Sequence, residues 1–522
     1  MDDLDNLRKR FSKITIHDWQ HTHPFGLSCS SDKYYVELVN RIISKILDYR
    51  IYNPPFELYE TIAISVAAYL EDLVNDFGVW NAFRNLYKTT YGTWLPFYDC
   101  EHKDYMPDNI NIEDIRYIIW QCFARCGQNE GRTFSPYSEG VIKLADTIYD
   151  DVVDEYEKAP ESRRIADYIN KKIRSNDYID IRNLSLWLNI NNPLIAVPMM
   201  QEEVNAELKN IPPYIDRSMG EYMVECIYSW SDASGPLGIS TCRYIAQMCR
   251  DRGLNDRAEM IDEIKVKSIQ NYETVKFSRK EIILKDVFDR EYTIDRRSLG
   301  KTNHDQDAKG YKAQLVFYNG LWNFNGISNI LTASEIARSR TDKIVTHEMT
   351  PPMHDMLSRI IEKHDGQRVF YCKTMKDVSK ITELPNADEN MQPRHIDGTS
   401  IDNDELHDIV LLLSLEDGPK MLQECAPYFK IKGNRKFSVK KSRESGINVF
   451  FNGLPDDIAK YIQDNDLTPE ISIFASQGED VGHAIVHDNL RFLCGFYRTE
   501  KAYFDNDPDY EDFDDDDFDD ND

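Results

Sequence analysis

"AQLVFYNGLWNFNG", residues 313–326, sets two apolar runs on either side of Asn319-Gly320. Both members of that pair tolerate positive φ, which a two-residue type I′ turn demands, so the stretch predicts a β-hairpin. Working outward, "ETVKF", "EIILKDV" and "EYTID" precede it in close order, β-rich and alternating with period two. Residues 272–332 are therefore expected to form a small barrel-like β module, with "RRSLGKTNHDQDAKG" an exposed loop.

On the N-terminal side the period changes. Val36, Val39, Ile42, Ile43, Ile46 and Leu47 form one stripe, and Ile62, Val66, Tyr69, Leu73, Phe77 and Trp80 a second. A third runs through Val141, Leu144, Ile148, Val152 and Tyr156. Spacing of three and four residues is the mark of a helix with one buried face, so residues 31–265 read as helical. Prolines at 193, 198, 212 and 213 predict a break near 190–213 that separates two subdomains. Asn111 stands where an N-cap would, and Gly78 where a helix would end. Residues 1–30 read as an extended N-terminal segment. Residues 345–504 mix a helical stripe (Met356, Leu357, Ile360, Ile361) with the strand-like "RVFYC", "DIVLLLSL" and "ISIFAS", as an α+β domain would. Within it, "NADENMQPRHIDGTSIDNDE" reads as a flexible loop. The fold class expected is thus multidomain: a predominantly α-helical N-terminal part, a β-rich module, an α+β C-terminal domain and a disordered acidic tail.

That tail, residues 505–522, holds twelve acids and no base, out of a formal charge of −28 over 522 residues, leaving −16 for the rest. So acidic a surface argues against the whole chain coating nucleic acid or anionic lipid. The first ten residues alternate acids and bases without an apolar run, unlike a signal peptide. Ile62–Leu70, interrupted by Ser65, is too short to span a bilayer. Ten scattered cysteines with no C-x-x-C pair suggest reduced, mostly buried thiols, and Cys122 and Cys126 continue a helical seam with Ile115 and Ile119. A cytoplasmic protein is expected.

Several phrases together carry a family likeness. They are "DW" at 18–19 with "HPF" at 23–25, "DKYYVELVN" at 32–40 and "AAYLEDLVNDFGVWNAF" at 67–83. "YGTWLPFYD" at 91–99, "DYMPDNINIEDIRYIIW" at 104–120, "DEYEKAPE" at 154–161 and "HDNLRFLCGFYR" at 487–498 complete the set. The chain resembles a family found mainly in the Bacteroidetes and known as a domain of unknown function. The resemblance implies a cytoplasmic multidomain protein and brings no catalytic residue with it.

Candidate chemistry starts with "HDWQHTHPF", residues 17–25, in which His17, Asp18 and His21 fit a zincin pattern with Asp for Glu. In an extended chain His17, Trp19, His21 and His23 would share a face, with Cys29 near. The shorter carboxylate, and Pro24 biasing His23 away from helix, weigh against a metal site, and none is expected. His483 and His487 flank "AIV", whose β-branched residues favour a strand. Glu71 and Asp72 lie largely off their helical stripe and read as a solvated face in preference to a catalytic pair. Phosphate-binding loops and a G-x-S-x-G elbow are missing, and no cofactor is expected.

The strongest charge feature is Lys430, Lys432, Arg435, Lys436, Lys440, Lys441 and Arg443, with Tyr428, Phe429 and Phe437 interleaved. Cations mixed with aromatics suit a polyanion such as single-stranded nucleic acid, and the tail could compete for them. A solvated basic loop is the plainer alternative. The functional expectation is a non-enzymatic binding or adaptor protein with a protein partner and no membrane association. The alternatives are an enzyme with an interdomain cleft and a nucleic-acid-associated protein autoregulated by its tail.

Overall fold

The computed structural model describes residues 13–48, 56–126, 134–230, 234–279, 281–299, 308–341, 351–383, 407–451 and 454–498. The acidic tail, most of the loop near 300 and the polar stretch 386–405 lie outside them. The three stripes become helices Asp32–Asp48, Phe56–Asn75 with Val79–Tyr91, and Glu139–Tyr156. Ile42, Ile62, Val66, Tyr69 and Ile148 are fully buried, so the periodicity reports burial as expected. Gly78 sits between the second pair with φ +80, a left-handed value that glycine reaches without a Cβ clash. Asn111 precedes helix Ile112–Cys126, yet its side-chain oxygen accepts from the Met106 N–H and so does not cap it.

One compact unit comprises Met1–Glu202, Asp232–Ala258 and His347–Thr499. Its interior is aromatic: Phe492 lies 5.5 Å from the rings of both Tyr87 and Phe97, and Trp120 is 4.8 Å from Phe496. Phe492 and Phe496 belong to helix Glu479–Phe496, which holds His483 and His487 where a strand was expected. Ile485 and Val486 are buried on this helix, and packing of their side chains outweighs a β propensity worth at most about 1 kcal/mol. Residues 471–476 likewise make only an isolated bridge, Phe134 to Phe474, in place of a strand. The strands expected around 369 and 409 do form, as Val369–Thr374 and His407–Ser414, and with Gly418–Leu422 they make a three-stranded antiparallel sheet. A buried ion pair, Arg84 to Asp114 at 3.3 Å, is enclosed by Tyr69 and Tyr105, whose hydroxyls donate to the same carboxylate.

Residues 16–26 correct the expectation of an extended N-terminal segment. Thr15 caps helix Ile16–Gln20 reciprocally with Asp18, and Pro24–Gly26 is a 3-10 turn. A capping box satisfies two otherwise orphaned backbone donors, which is enough to set so short a helix once Trp19 is buried against Tyr35.

The other unit comprises, among the described residues, 203–230 and 259–341. Its strands Lys265–Phe277 (β1), Glu281–Lys285 (β2), Glu291–Asp295 (β3), Gly310–Tyr318 (β4) and Leu321–Leu331 (β5) close as a barrel in the order β1-β2-β3-β5-β4. The closure β3–β5 is parallel and every other pairing antiparallel, which is the strand arrangement of the OB barrel. Asn319 (φ 51) and Gly320 (φ 79) make the expected hairpin turn, pairing Tyr318 with Leu321. Tyr272, Ile282, Leu284, Tyr311, Leu315 and Phe324 fill the interior.

Candidate functional site

The residues around "HDWQHTHPF" turn out to matter for what they bury. Within that segment the Asp18 carboxylate accepts from the Thr15 N–H and hydroxyl, so the acid of the zincin pattern is spent on capping. His17 and His21 are exposed, their rings 4.4 Å apart. His23 is different. It is 3% exposed, set edge-on against Trp19, with Nδ1 3.0 Å from the Leu27 carbonyl and Nε2 3.1 Å from Glu71 Oε2.

Glu71 itself is 2% exposed, contrary to the solvated face its sequence position suggested. Its Oε1 accepts from the Ser162 hydroxyl at 2.5 Å, and Ser162 Oγ lies 2.6 Å from Ser31 Oγ. Cys29 stands two residues before Ser31, and the Ser31 hydroxyl favours the thiolate form of its thiol. A continuous run therefore leads from a buried imidazole, through one carboxyl, to two hydroxyls, and ends at Ser31, two residues from the half-buried Cys29. Asp32 braces the thiol end: its Oδ2 accepts from the Cys29 N–H at 2.9 Å and from Gln20 Nε2 at 2.6 Å.

Proton accounting gives the run a direction. A carbonyl only accepts, so His23 Nδ1 carries hydrogen, and Nε2 carries another if Glu71 is ionised. Burial opposes that imidazolium, but the hydrogen bond and charge of Glu71, the Leu27 carbonyl and the charge of Asp32 outweigh it and raise the His23 pKa. With its own proton given to Glu71, Ser162 accepts from Ser31.

Local structure prepares the Cys29 sulfur for negative charge. Ser162 stands at the N-cap of helix Arg163–Ile173 but makes no side-chain cap, its hydroxyl being turned to Glu71. The Arg164 N–H, an orphan donor of the first turn, and the N–H groups of Ser30 and Ser31 at the start of helix Asp32–Asp48 accordingly favour negative charge at Cys29. Burial pushes the Cys29 thiol up, and these donors with the Ser31 hydroxyl bring it below its ordinary value. Above the sulfur is an open cleft lined by Ser28, Cys29, Ser30, Glu161, Arg163 and Arg164. Arg163 pairs with Glu161, while Arg164 bonds the Ser28 carbonyl and hydroxyl and makes no ion pair among the described residues.

The other candidates fall elsewhere. Asp72, also buried, accepts from the N–H groups of Val79 and Trp80 and so anchors the next helix, and burial lifts its carboxyl to about 6. His483 bonds the Ile471 carbonyl, and His487 bonds Asp466 and Asp488. Lys430, Lys432, Arg435, Lys436, Lys440, Lys441 and Arg443 are all exposed. Lys436 pairs with Asp408, and Arg443 with Glu470 and Glu479. Of the interleaved aromatics, Phe429 is buried against Phe450, and Tyr428 and Phe437 are half-buried. Among the described residues no group of three or more His, Cys, Asp or Glu side chains is placed to hold a metal ion.

Sequence reasoning missed Glu71, Ser31 and Ser162 as partners, for they are 40 to 131 positions apart, and nothing local links them. The one available signal was Cys29 falling close to His23 in the chain. Comparison with known proteins adds a family: one described as a protein of unknown function (DUF3843) matches residues 13–294, more than half of the chain and the whole of the Cys29 run. No curated protein and no solved structure matches.

Proposed function

The chain belongs to the DUF3843 family, and from that premise we propose that it is a cytoplasmic binding protein that holds its ligand covalently through Cys29. The observation that carries the reading is the buried run Ser31–Ser162–Glu71–His23, which ends two residues from the Cys29 thiol and supplies a base, Glu71, with its orienting partner. Capture is favoured over turnover by the cleft. Glu161, the carboxylate lining it, is held below the usual carboxylate range by Arg163 and is a poor base for activating water. A cytoplasmic setting agrees with the cysteines, since each described one is a free thiol, and no helix among the described residues is long and apolar enough to cross a membrane.

The test is competitive labelling of the full chain with sub-stoichiometric iodoacetamide at pH 7, mapped by peptide mass. Cys425 is the internal control, also half-buried but with its thiol pushed up to about 11 by burial. Cys29 should take nearly all the label. Equal labelling of the two would refute the reading.

A second reading concerns the basic segment, as a seat for a polyanion such as single-stranded nucleic acid. What favours it is that Lys430, Lys432, Arg435 and Lys441 are exposed and make no ion pair among the described residues. The OB order of the barrel strands adds to it independently. Four phosphate contacts imply a log–log salt slope of about −3 on single-stranded nucleic acid. Deleting residues 505–522 should then strengthen binding, and a slope near zero with or without the tail would dispose of this alternative.

A further inference from the structure

We infer that the basic segment is a seat for this chain's own acidic run, residues 505–522, which occupies it in cis. This deepens the second reading by naming what regulates the same cations, and it does not need nucleic acid to bind there. The seat is a built surface. Asn434 Nδ2 donates to the carbonyls of Ala426 and Phe429, at 2.7 and 2.8 Å, and the Ser438 N–H donates to the Pro427 carbonyl, closing the loop on itself. Phe429 and Ile431 are buried beneath it, so Lys430, Lys432 and Arg435 are carried outward between fixed points. Lys441 joins them from the first turn of helix Val439–Phe451, where its N–H donates to the Ser438 hydroxyl. Lys436 and Arg443 spend their charge on Asp408, Glu470 and Glu479, while those four cations make no ion pair among the described residues.

The place where the acidic run is tethered selects it as the occupant. Arg443 pairs with Glu479 at 3.1 Å, and Phe451 stacks on Tyr497 with ring centroids 5.0 Å apart. Helices Val439–Phe451 and Glu479–Phe496 therefore lie side by side and run the same way. Arg498, the last described residue, bonds the Leu454 carbonyl just past the far end of the first of them. From there to the seat is one length of a 13-residue helix, about 20 Å. Residues 499–504 span about 20 Å when extended, so the run that begins at Asp505 has the reach to lie along the cations. Its twelve acids, with Tyr510, Phe513 and Phe518 among them, suit four unpaired cations flanked by the half-buried rings of Tyr428 and Phe437. Each exposed ion pair is weak alone, but the tether holds the acids beside the seat at an effective concentration of about 1 mM. A second copy's run has no such advantage, which favours the contact within one chain.

The experiment compares the full-length chain with the same chain lacking residues 505–522, by lysine acetylation at low salt and pH 7, mapped by peptide mass. Carboxylates beside an ammonium hold its proton and so slow its acetylation. Lys430, Lys432 and Lys441 should react at least about threefold faster once the run is removed. Lys103 and Lys158, exposed elsewhere, should keep their rates. In 0.5 M salt, where charges act over only about 4 Å, the difference should vanish. Carbodiimide coupling of the full-length chain should join the same three lysines to acids of 505–522 within one chain, at a yield independent of protein concentration. Equal acetylation with and without the run would overturn the inference, and so would coupling found only between two chains. The second reading has a separate outcome: protected lysines on a chain that binds no single-stranded nucleic acid even without the run would remove that reading and keep this one.

Discussion

His23 and Glu71 meet 3.1 Å apart with each side chain about 3% exposed, a charged pair shut away from water between the N-terminal segment and helix Phe56–Asn75. Bringing two ions out of water costs several kcal/mol each, and the pair persists because other groups complete it: Leu27 on the imidazole, Ser162 on the carboxylate. Removing one partner strands the other. Glu71→Ala should therefore destabilise the fold by about 3–5 kcal/mol, read as a lowered urea midpoint with unchanged slope. Glu71→Gln, which keeps the shape and an acceptor, should cost less.

The same pair sets a pH dependence with a definite sign. His23 binds its proton more tightly folded than unfolded, the unfolded pKa being about 6.5. Its contribution is present in full below that value and is lost as pH rises through the higher folded pKa. Urea midpoints should fall across that alkaline window in the native chain, and the fall should shrink in His23→Gln. A rise in stability through the window, specific to His23, would reverse the assignment.

Gly238 shows how tightly the C-terminal helix is seated. Its φ is +58, and a Cβ there would lie 2.1 Å from the Gly495 carbonyl oxygen. Gly238→Ala meets both the left-handed backbone cost and that collision, and should lower stability by at least about 1–3 kcal/mol. Gly253→Ala, with a similar φ (+71) but open space around the new carbon, should cost about 1 kcal/mol.

Arg84 and Asp114 provide a second buried charge contact, with Tyr69, Tyr105 and Asn111 all donating to the carboxylate. Asp114→Ala should be among the most damaging single changes in the chain, about 3–5 kcal/mol, because it leaves a guanidinium 1% exposed with no counter-charge. Soluble yield and thermal midpoint would both report it.

What could be read in the sequence was local. The Asn319-Gly320 turn and the stripe from Ile62 to Trp80 follow from backbone sterics and helical period, and both are as expected. The fate of Glu71 was not legible, since a carboxylate off an apolar stripe is solvated unless distant partners bury it. Here those partners are His23, 48 positions before it, and Ser162, 91 positions after it. His483 and His487 were misplaced for the same reason: Ile485 and Val486 favour a strand locally, while burial of Phe492 and Phe496 among distant aromatics holds a helix. Ser162 is the subtlest case. A serine before a helix reads as a cap, and only the fold shows its hydroxyl turned away from that duty to serve Glu71.

The central claim is that Glu71 receives the Cys29 proton through Ser31 and Ser162. It is tested most directly by the pH dependence of iodoacetamide alkylation at Cys29 in the native chain and in Glu71→Gln. The account expects a midpoint below that of an ordinary thiol in the native protein. In the variant it expects a higher midpoint and a rate at pH 7 reduced by at least about tenfold, since an amide cannot take the proton. Superimposable profiles from the two folded proteins would contradict it.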